Sequence, residues 1–255
     1  MKAEYIAAEV RENIGVITLN NPDNLNSINQ KMLRELSEQI TEYDQTKNVR
    51  VIVLKGIEKS FAAGIDVKSL AANLSNAKEM LQEMQDSFQV FLKTKKPLIA
   101  VVSGFALGIG CEIVMCCDIV LATDTARFGL PELSIGLLPC FGGCHLLTQT
   151  VGKAKAMDMI LSGRALLAEE AEKAGIVSRI VTEESLTEEY TKLAQRIASL
   201  PQNTVLRAKK IISQSVLSDL AETENLLSLS SVESSEFKQS LMAYAQKRPS
   251  NMPKA

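Results

Sequence analysis

The fold is decided by Pro97–Glu132, PLIAVVSGFALGIGCEIVMCCDIVLATDTARFGLPE. Leu98–Val102 is an apolar, strand-like run and Cys117–Ala122 is a second. Between them a glycine-punctuated turn, Gly104-Phe105-Ala106-Leu107-Gly108, leads into a short apolar helix that carries one carboxylate, Glu112. A second carboxylate, Glu132, closes the stretch behind Pro131. Asp118, Asp124 and Arg127 are nearly the only other groups here that ionise at neutral pH, so two acids stand beside backbone suited to tight turns.

Working outward from this stretch, the same alternation of strand and helix continues upstream. Ile14–Leu19 and Val51–Leu54 are β-branched apolar runs of strand length. Between them Ile28, Met32, Leu33, Leu36, Ile40 and Tyr43 recur every three or four residues, which predicts an amphipathic helix capped by Ser27 or Asn29. Strand, helix, strand at this spacing implies a right-handed parallel crossover. Residues 59–70 read as a loop in which Gly64 and its small neighbours let a ligand approach the backbone. Residues 76–94 form a second helix, with Met80, Leu81, Met84, Phe88 and Phe91 on one stripe, ended by Pro97. The class is therefore α/β.

Downstream, Pro139-Cys140-Phe141-Gly142-Gly143 is a turn, and helical patterns cover 144–150, 153–162 and 168–174, the last ended by Gly175. Ile176–Val181 reads as a brief strand. Residues 183–247 read as helical except around Pro201, and their apolar stripes call for a partner surface, either a satellite lobe or an oligomer contact.

At 255 residues and 46% apolar content the chain can bury a full core. A net charge of −2 provides no field for nucleic acid, and with no Trp and 4% aromatic residues the usual stacking platforms are missing. Glu4, Glu9 and Glu12 stand where a secretory signal needs an apolar run, and no stretch is long enough to span a membrane, so a cytoplasmic protein is expected. Cys111, Cys116, Cys117 and Cys140 lie in apolar or glycine-rich surroundings and read as core thiols. Cys140, Cys144 and His145 do not match a zinc spacing, and His145, the only histidine, reads as structural.

The Gly104–Gly110 pattern lacks both the dinucleotide-binding order and the Lys-Ser/Thr of a phosphate loop. It is either a close packing turn or a turn whose N–H groups face a site of developing negative charge. Glu112 is either a first-turn acid on a solvated face or a buried acid tuned for proton transfer, its charge favoured by the helix N-terminus and opposed by burial. Glu132, taken alone, is a loop acid at a helix start.

Taken together, Phe61-Ala62-Ala63-Gly64-Ile65-Asp66-Val67-Lys68, then Gly104 through Glu112, then Phe128-Gly129-Leu130-Pro131-Glu132 resemble the enoyl-CoA hydratase/isomerase (crotonase) family. Leu25-Asn26-Ser27, Lys96-Pro97, Cys117-Asp118-Ile119, Gly136-Leu137-Leu138-Pro139, Gly142-Gly143 and Lys247-Arg248 support the resemblance. It implies a crotonase-like spiral of ββα turns over residues 1–195 and a C-terminal helical lobe, 196–255, that assembles homotrimers or dimers of trimers. It also implies an acyl-CoA thioester substrate, with coenzyme A arriving as part of the substrate and no separate cofactor or metal.

By the same resemblance the backbone N–H groups of Ile65 and Ile109 form an oxyanion hole for the thioester enolate. Ala63, Gly64, Ile65, Asp66, Val67, Lys68, Gly108, Ile109, Pro131, Pro139 and Cys140 are the expected substrate-binding residues. Members with acids at both positions matching Glu112 and Glu132 are typically hydratases, which gives Glu112 the water and Glu132 the α-carbon proton. Isomerisation through Glu132 alone, and a non-catalytic acyl-CoA-binding oligomer, are the alternatives. The chain departs from the family pattern at Ile65 and Ile109, which predict a narrowed pocket, at Cys140, and in Gly142-Gly143-Cys144-His145-Leu146-Leu147, where a usual arginine is lost.

Overall fold

The computed structural model describes residues 3–57, 59–214, 229–230 and 232–247. Its large sheet is built from β1 (Ile6–Arg11), β2 (Ile14–Leu19), β3 (Val51–Lys55), β5 (Leu98–Val102), β7 (Ile119–Thr123) and β10 (Arg179–Val181), in that spatial order. A small sheet runs β4 (Ser60–Ala62), β6 (Phe105–Leu107), β8 (Arg127–Gly129) and β9 (Leu166–Leu167). From β3 to β8 each turn of the chain lays one strand in the large sheet and the next in the small one before a helix or helical turn, which is the expected ββα spiral; the first turn, β1 and β2, lies wholly in the large sheet. Pairing is parallel throughout except β1 with β2 and β8 with β9.

The apolar runs of β3 and β5 are buried on both faces, as parallel strands require. Ile52, Leu54, Leu98, Ala100 and Val102 point into the main core. Their alternates Val51, Val53, Ile99 and Val101 pack on a second layer headed by Leu186, Ala194 and Ala198 of α8 (Leu186–Ser199). Residue 195 thus falls inside a helix that covers the sheet. Helix α1 (Gln30–Gln45) buries the predicted stripe and is capped by Asn29, whose side chain accepts from the Met32 N–H; Ser27 is not the cap.

Three expectations are corrected. Residues 59–70 are not a single loop: they contain β4 and α2 (Val67–Ala72), which was hidden by its short length. The turn 104–108 contains β6, a strand of three residues. Strand β1 was not foreseen because only Ile6 of its six residues is buried. It joins β2 through Glu12-Asn13, both at positive φ (46° and 69°), the geometry of a two-residue hairpin turn.

The remaining helices are α3 (Ala77–Lys93), α4 (Ile109–Cys116), α5 (Gly143–Val151), α6 (Lys153–Ser162), α7 (Ala168–Ala174), α9 (Gln202–Gln214) and α10 (Ser235–Lys247). Helix α10 returns to the spiral: Phe237 and Leu241, spaced four apart, are fully buried in the main core, and the helix packs on α2 and on the 3-10 turn Glu132–Ile135. The expectation of helix across 215–228 and at 231, and the Arg248 half of the Lys247-Arg248 pair, lie outside the described residues. All five cysteines are free thiols.

Candidate active site

The site forms where β4, β6 and β8 end together. Their parallel register carries Ala62 next to Ala106 and Leu107 next to Gly129, so the residues that follow each strand emerge side by side. Gly108 is the hinge of this junction. Its N–H donates to the Gly129 carbonyl at 2.9 Å, and its φ of +52° with ψ of −129° starts α4. A Cβ there would lie 2.8 Å from Glu132 Oε1 and 3.4 Å from Gly64 Cα, so only glycine lets these three parts meet.

Glu112 occupies the first turn of α4 and is completely buried. Its Oε1 accepts hydrogen bonds from the Phe141 and Gly143 N–H groups, both at 2.9 Å. Gly143 is the first residue of α5, so one carboxylate sits at the N-terminal ends of two helices. Both ends favour its negative charge and oppose the cost of burial. A Cβ on Gly143 would come within 2.6 Å of the same oxygen, which explains glycine at the end of the 139–143 turn. The first-turn acid on a solvated face is thereby excluded.

Glu132 is buried at the start of the 3-10 turn Glu132–Ile135, with Gly136 (φ +70°) ending it. Cys111 lies within the influence of both acids: burial pushes its thiol well up, and the charges of Glu132 and then Glu112 add to the shift. The thiol stays neutral and serves as packing.

A cavity of about 50 Å³ opens beside Glu132. Of the expected residues, Ala63, Gly64, Ile65, Val67, Gly108, Pro131 and Glu132 line it. Ser134, Ile135 and Tyr244 also line it and were not foreseen; Tyr244 comes from α10, far along the chain. The other expected residues sit elsewhere. Asp66 caps α2, its Oδ1 accepting from the N–H groups of Lys68 (3.0 Å) and Ser69 (3.1 Å), and Lys68 is exposed. Pro139 and Cys140 belong to the turn that grips Glu112. The Ile109 side chain is buried in the main core, so it does not narrow the cavity, whereas Ile65 does border it.

The backbone of Ile65 and Ile109 is oriented by its neighbours. The Gly64 carbonyl accepts from Ile28 N–H (2.8 Å) and Asp66 N–H donates to the Ile28 carbonyl (2.9 Å), so the Ile65 N–H faces away from Ile28. Ile109 is the first residue of α4, whose N–H has no partner within a helix. Asn26, unexposed and at φ +55°, fixes this wall: its side chain accepts from Asn21 N–H and donates to the carbonyls of Leu19, Ser60 and Phe61.

The sequence profile described as Enoyl-CoA hydratase/isomerase matches residues 9–254. The chain belongs to this family. It is 43% identical over 222 residues to a probable enoyl-CoA hydratase of Rhizobium meliloti, covering 87% of this chain and 86% of that protein. It is 37% identical over 254 residues to the mitochondrial enoyl-CoA hydratase of Pongo abelii, covering 97% and 87%. Its fold matches the crystal structure of an enoyl-CoA hydratase from Mycobacterium avium subsp. paratuberculosis with a TM-score of 0.86 at 26% identity, over 99% of this chain and 100% of that one.

A larger cavity, about 510 Å³, lies apart from the acids, between Phe91 and Leu92 of α3, the C-terminal end of α4 and the apolar face of α9. Its polar feature is the Lys209–Asp118 ion pair at 2.7 Å. Neither Glu112 nor Glu132 lines it, whereas Glu132 lines the smaller cavity.

Proposed function

We propose that this protein hydrates a trans-2-enoyl-CoA thioester to the 3-hydroxyacyl-CoA, as a hydro-lyase with coenzyme A carried on its substrate and no separate cofactor. The observation that carries this reading is the pair of buried acids meeting through Gly108 and Cys111, with Glu112 held as the carboxylate by two N–H groups. In the reaction the thioester oxygen takes the Ile65 and Ile109 N–H groups, which stabilise the enolate as charge moves onto that oxygen. Glu112 accepts a proton from water as its oxygen bonds to the β-carbon, and Glu132 delivers a proton to the α-carbon. The two steps add one water and leave Glu112 protonated and Glu132 charged, so a proton passes from Glu112 back to Glu132 before the next turnover.

In this proposal Asp66 and Lys68 hold the entrance through α2, and Pro139 and Cys140 act through the turn on Glu112. Helix α8 belongs with the spiral, and the oligomerising region follows it; exposed Leu200, Ile211 and Ile212 support assembly as a homotrimer or dimer of trimers. No described helix is long and apolar enough to cross a membrane, and the cytoplasm is the proposed compartment.

Loss of the conjugated thioester absorbance on mixing purified protein with short enoyl-CoAs tests the reading; absence of turnover at every acyl length overturns it. A second reading, double-bond isomerisation through Glu132, is favoured by the fact that Glu132 and not Glu112 borders the cavity. Glu112→Gln retaining full turnover of a 3-enoyl-CoA would select it.

A further inference from the structure

The turn that grips Glu112 is itself held from the far side. Gln85, on α3, is a buried polar residue on an otherwise apolar face shared with Met84, Phe88 and Phe91. Its Nε2 donates to the Cys140 carbonyl at 2.8 Å. That carbonyl and the Phe141 N–H belong to one peptide unit, and in a planar trans peptide they point in opposite directions. A straight chain results, running from the Gln85 amide through the Cys140–Phe141 peptide to Glu112 Oε1, whose bond from Phe141 is 2.9 Å. Helix α3 grips the same turn a second time, through the Phe88 ring 5.1 Å from that of Phe141.

We infer that Gln85 is a positioning residue for Glu112: by fixing the Cys140–Phe141 peptide plane it aims the Phe141 N–H at the carboxylate. Two effects combine. A peptide whose carbonyl already accepts a hydrogen bond is a stronger donor through its N–H. Its rotation is also blocked, so Glu112 keeps one orientation toward the water, where a displacement of about 1 Å is enough to cost on the order of 10²-fold in rate. The inference rests on the proposed role of Glu112 in hydration and extends it to a residue that does not line the cavity beside Glu132.

The test is a double-mutant cycle read in kcat and KM with a short trans-2-enoyl-CoA. Gln85→Met keeps the length and removes the donor; Gln85→Asn keeps the amide and falls a methylene short of Cys140. Each is expected to lower kcat by roughly 10-fold or more with KM within about twofold of wild type. In a Glu112→Gln background either change is expected to cost nothing further, because the group being aimed has gone. Circular dichroism and melting curves establish that the variants are folded; should Gln85→Met not fold, Gln85→Asn carries the result. If Glu112→Gln is crippled while the Gln85 variants keep wild-type kcat, or if their loss is undiminished in the Glu112→Gln background, the positioning role is overturned. If the wild type hydrates nothing, or Glu112→Gln matches it, the failure lies with the proposed function and the inference falls with it.

Discussion

Glu112 and Glu132 are the same residue type, both buried and both raising the pKa of the Cys111 thiol, yet their surroundings differ in kind. Glu112 is enclosed by backbone: two helix ends and two N–H groups hold its carboxylate, and it does not line the cavity. Glu132 stands on a short 3-10 turn, touches the hinge at Gly108 and borders the cavity. The difference teaches that main-chain architecture alone can give like acids unlike surroundings, and the proposed mechanism turns this into distinct duties. A group surrounded by N–H donors favours its charged form and suits a base; a group facing the cavity suits proton delivery to a bound carbon.

The strongest way to break this comparison is to replace each acid by its amide. Glu112→Gln and Glu132→Gln are each expected to lower kcat for hydration by on the order of 10²–10⁴-fold. Only Glu132→Gln should also abolish isomerisation of a 3-enoyl-CoA. Equal losses in both assays for both variants would erase the division of labour. A less severe pair acts on the neighbours: Gly143→Ala intrudes on Glu112 Oε1 and Gly108→Ala on Glu132 Oε1. Each is expected to reproduce the pattern of the acid it displaces, at about 10²-fold in kcat, with melting curves recorded to separate misplacement from unfolding.

Tyr244 sharpens the comparison on the cavity side. Ligand pockets usually enclose roughly 300–1,000 Å³, so a space of about 50 Å³ is small, and Tyr244 is one of its walls. Tyr244→Ala should shift the preferred enoyl-CoA to longer chains, each newly buried methylene contributing about 0.8 kcal/mol, roughly fourfold in kcat/KM. An unchanged length profile would show that another wall sets the limit.

The smallest effect is expected from an acid outside the site. The hydrogen bonds of Arg164 and then Lys155 hold the Glu170 carboxyl down at about 2, against an ordinary 4.5. A lowered value means that its charge stabilises the fold above pH 4.5 and that this contribution fades as pH falls toward 2. The pair is partly exposed and screened, so Glu170→Gln should lower the melting temperature slightly at pH 7, less at pH 3, and leave kcat untouched at either. A change in kcat would connect this surface cluster to the site.

Long periodic elements were legible in the sequence because many residues report the same face: the stripe from Met32 to Tyr43 and the runs of β3 and β5 each repeat a signal. Short strands were not. β4, β6 and β8 have three residues each, too few for any period to register, and β1 offers only Ile6 to the core. Within the site, the motifs around Gly64, Gly108 and Pro131 pointed to most of the cavity wall through the family resemblance they carry; taken alone, their glycines left a packing turn equally open. Tyr244 left no local signal, being an aromatic residue on an ordinary amphipathic helix that only tertiary packing brings back. The embrace of Glu112 by residues 141 and 143 is equally long-range: the sequence shows a turn, and only the fold shows what the turn surrounds.

One consequence of the double helix end at Glu112 concerns inheritance. The acid accepts at the start of α5, so a descendant that replaced this residue would lose an acceptor for two buried N–H groups whatever chemistry it performed. Folding and activity therefore both bear on this one position. An engineer who wishes to redirect the chemistry faces the same constraint and must install a new acceptor at the start of α5 before the old one can be removed.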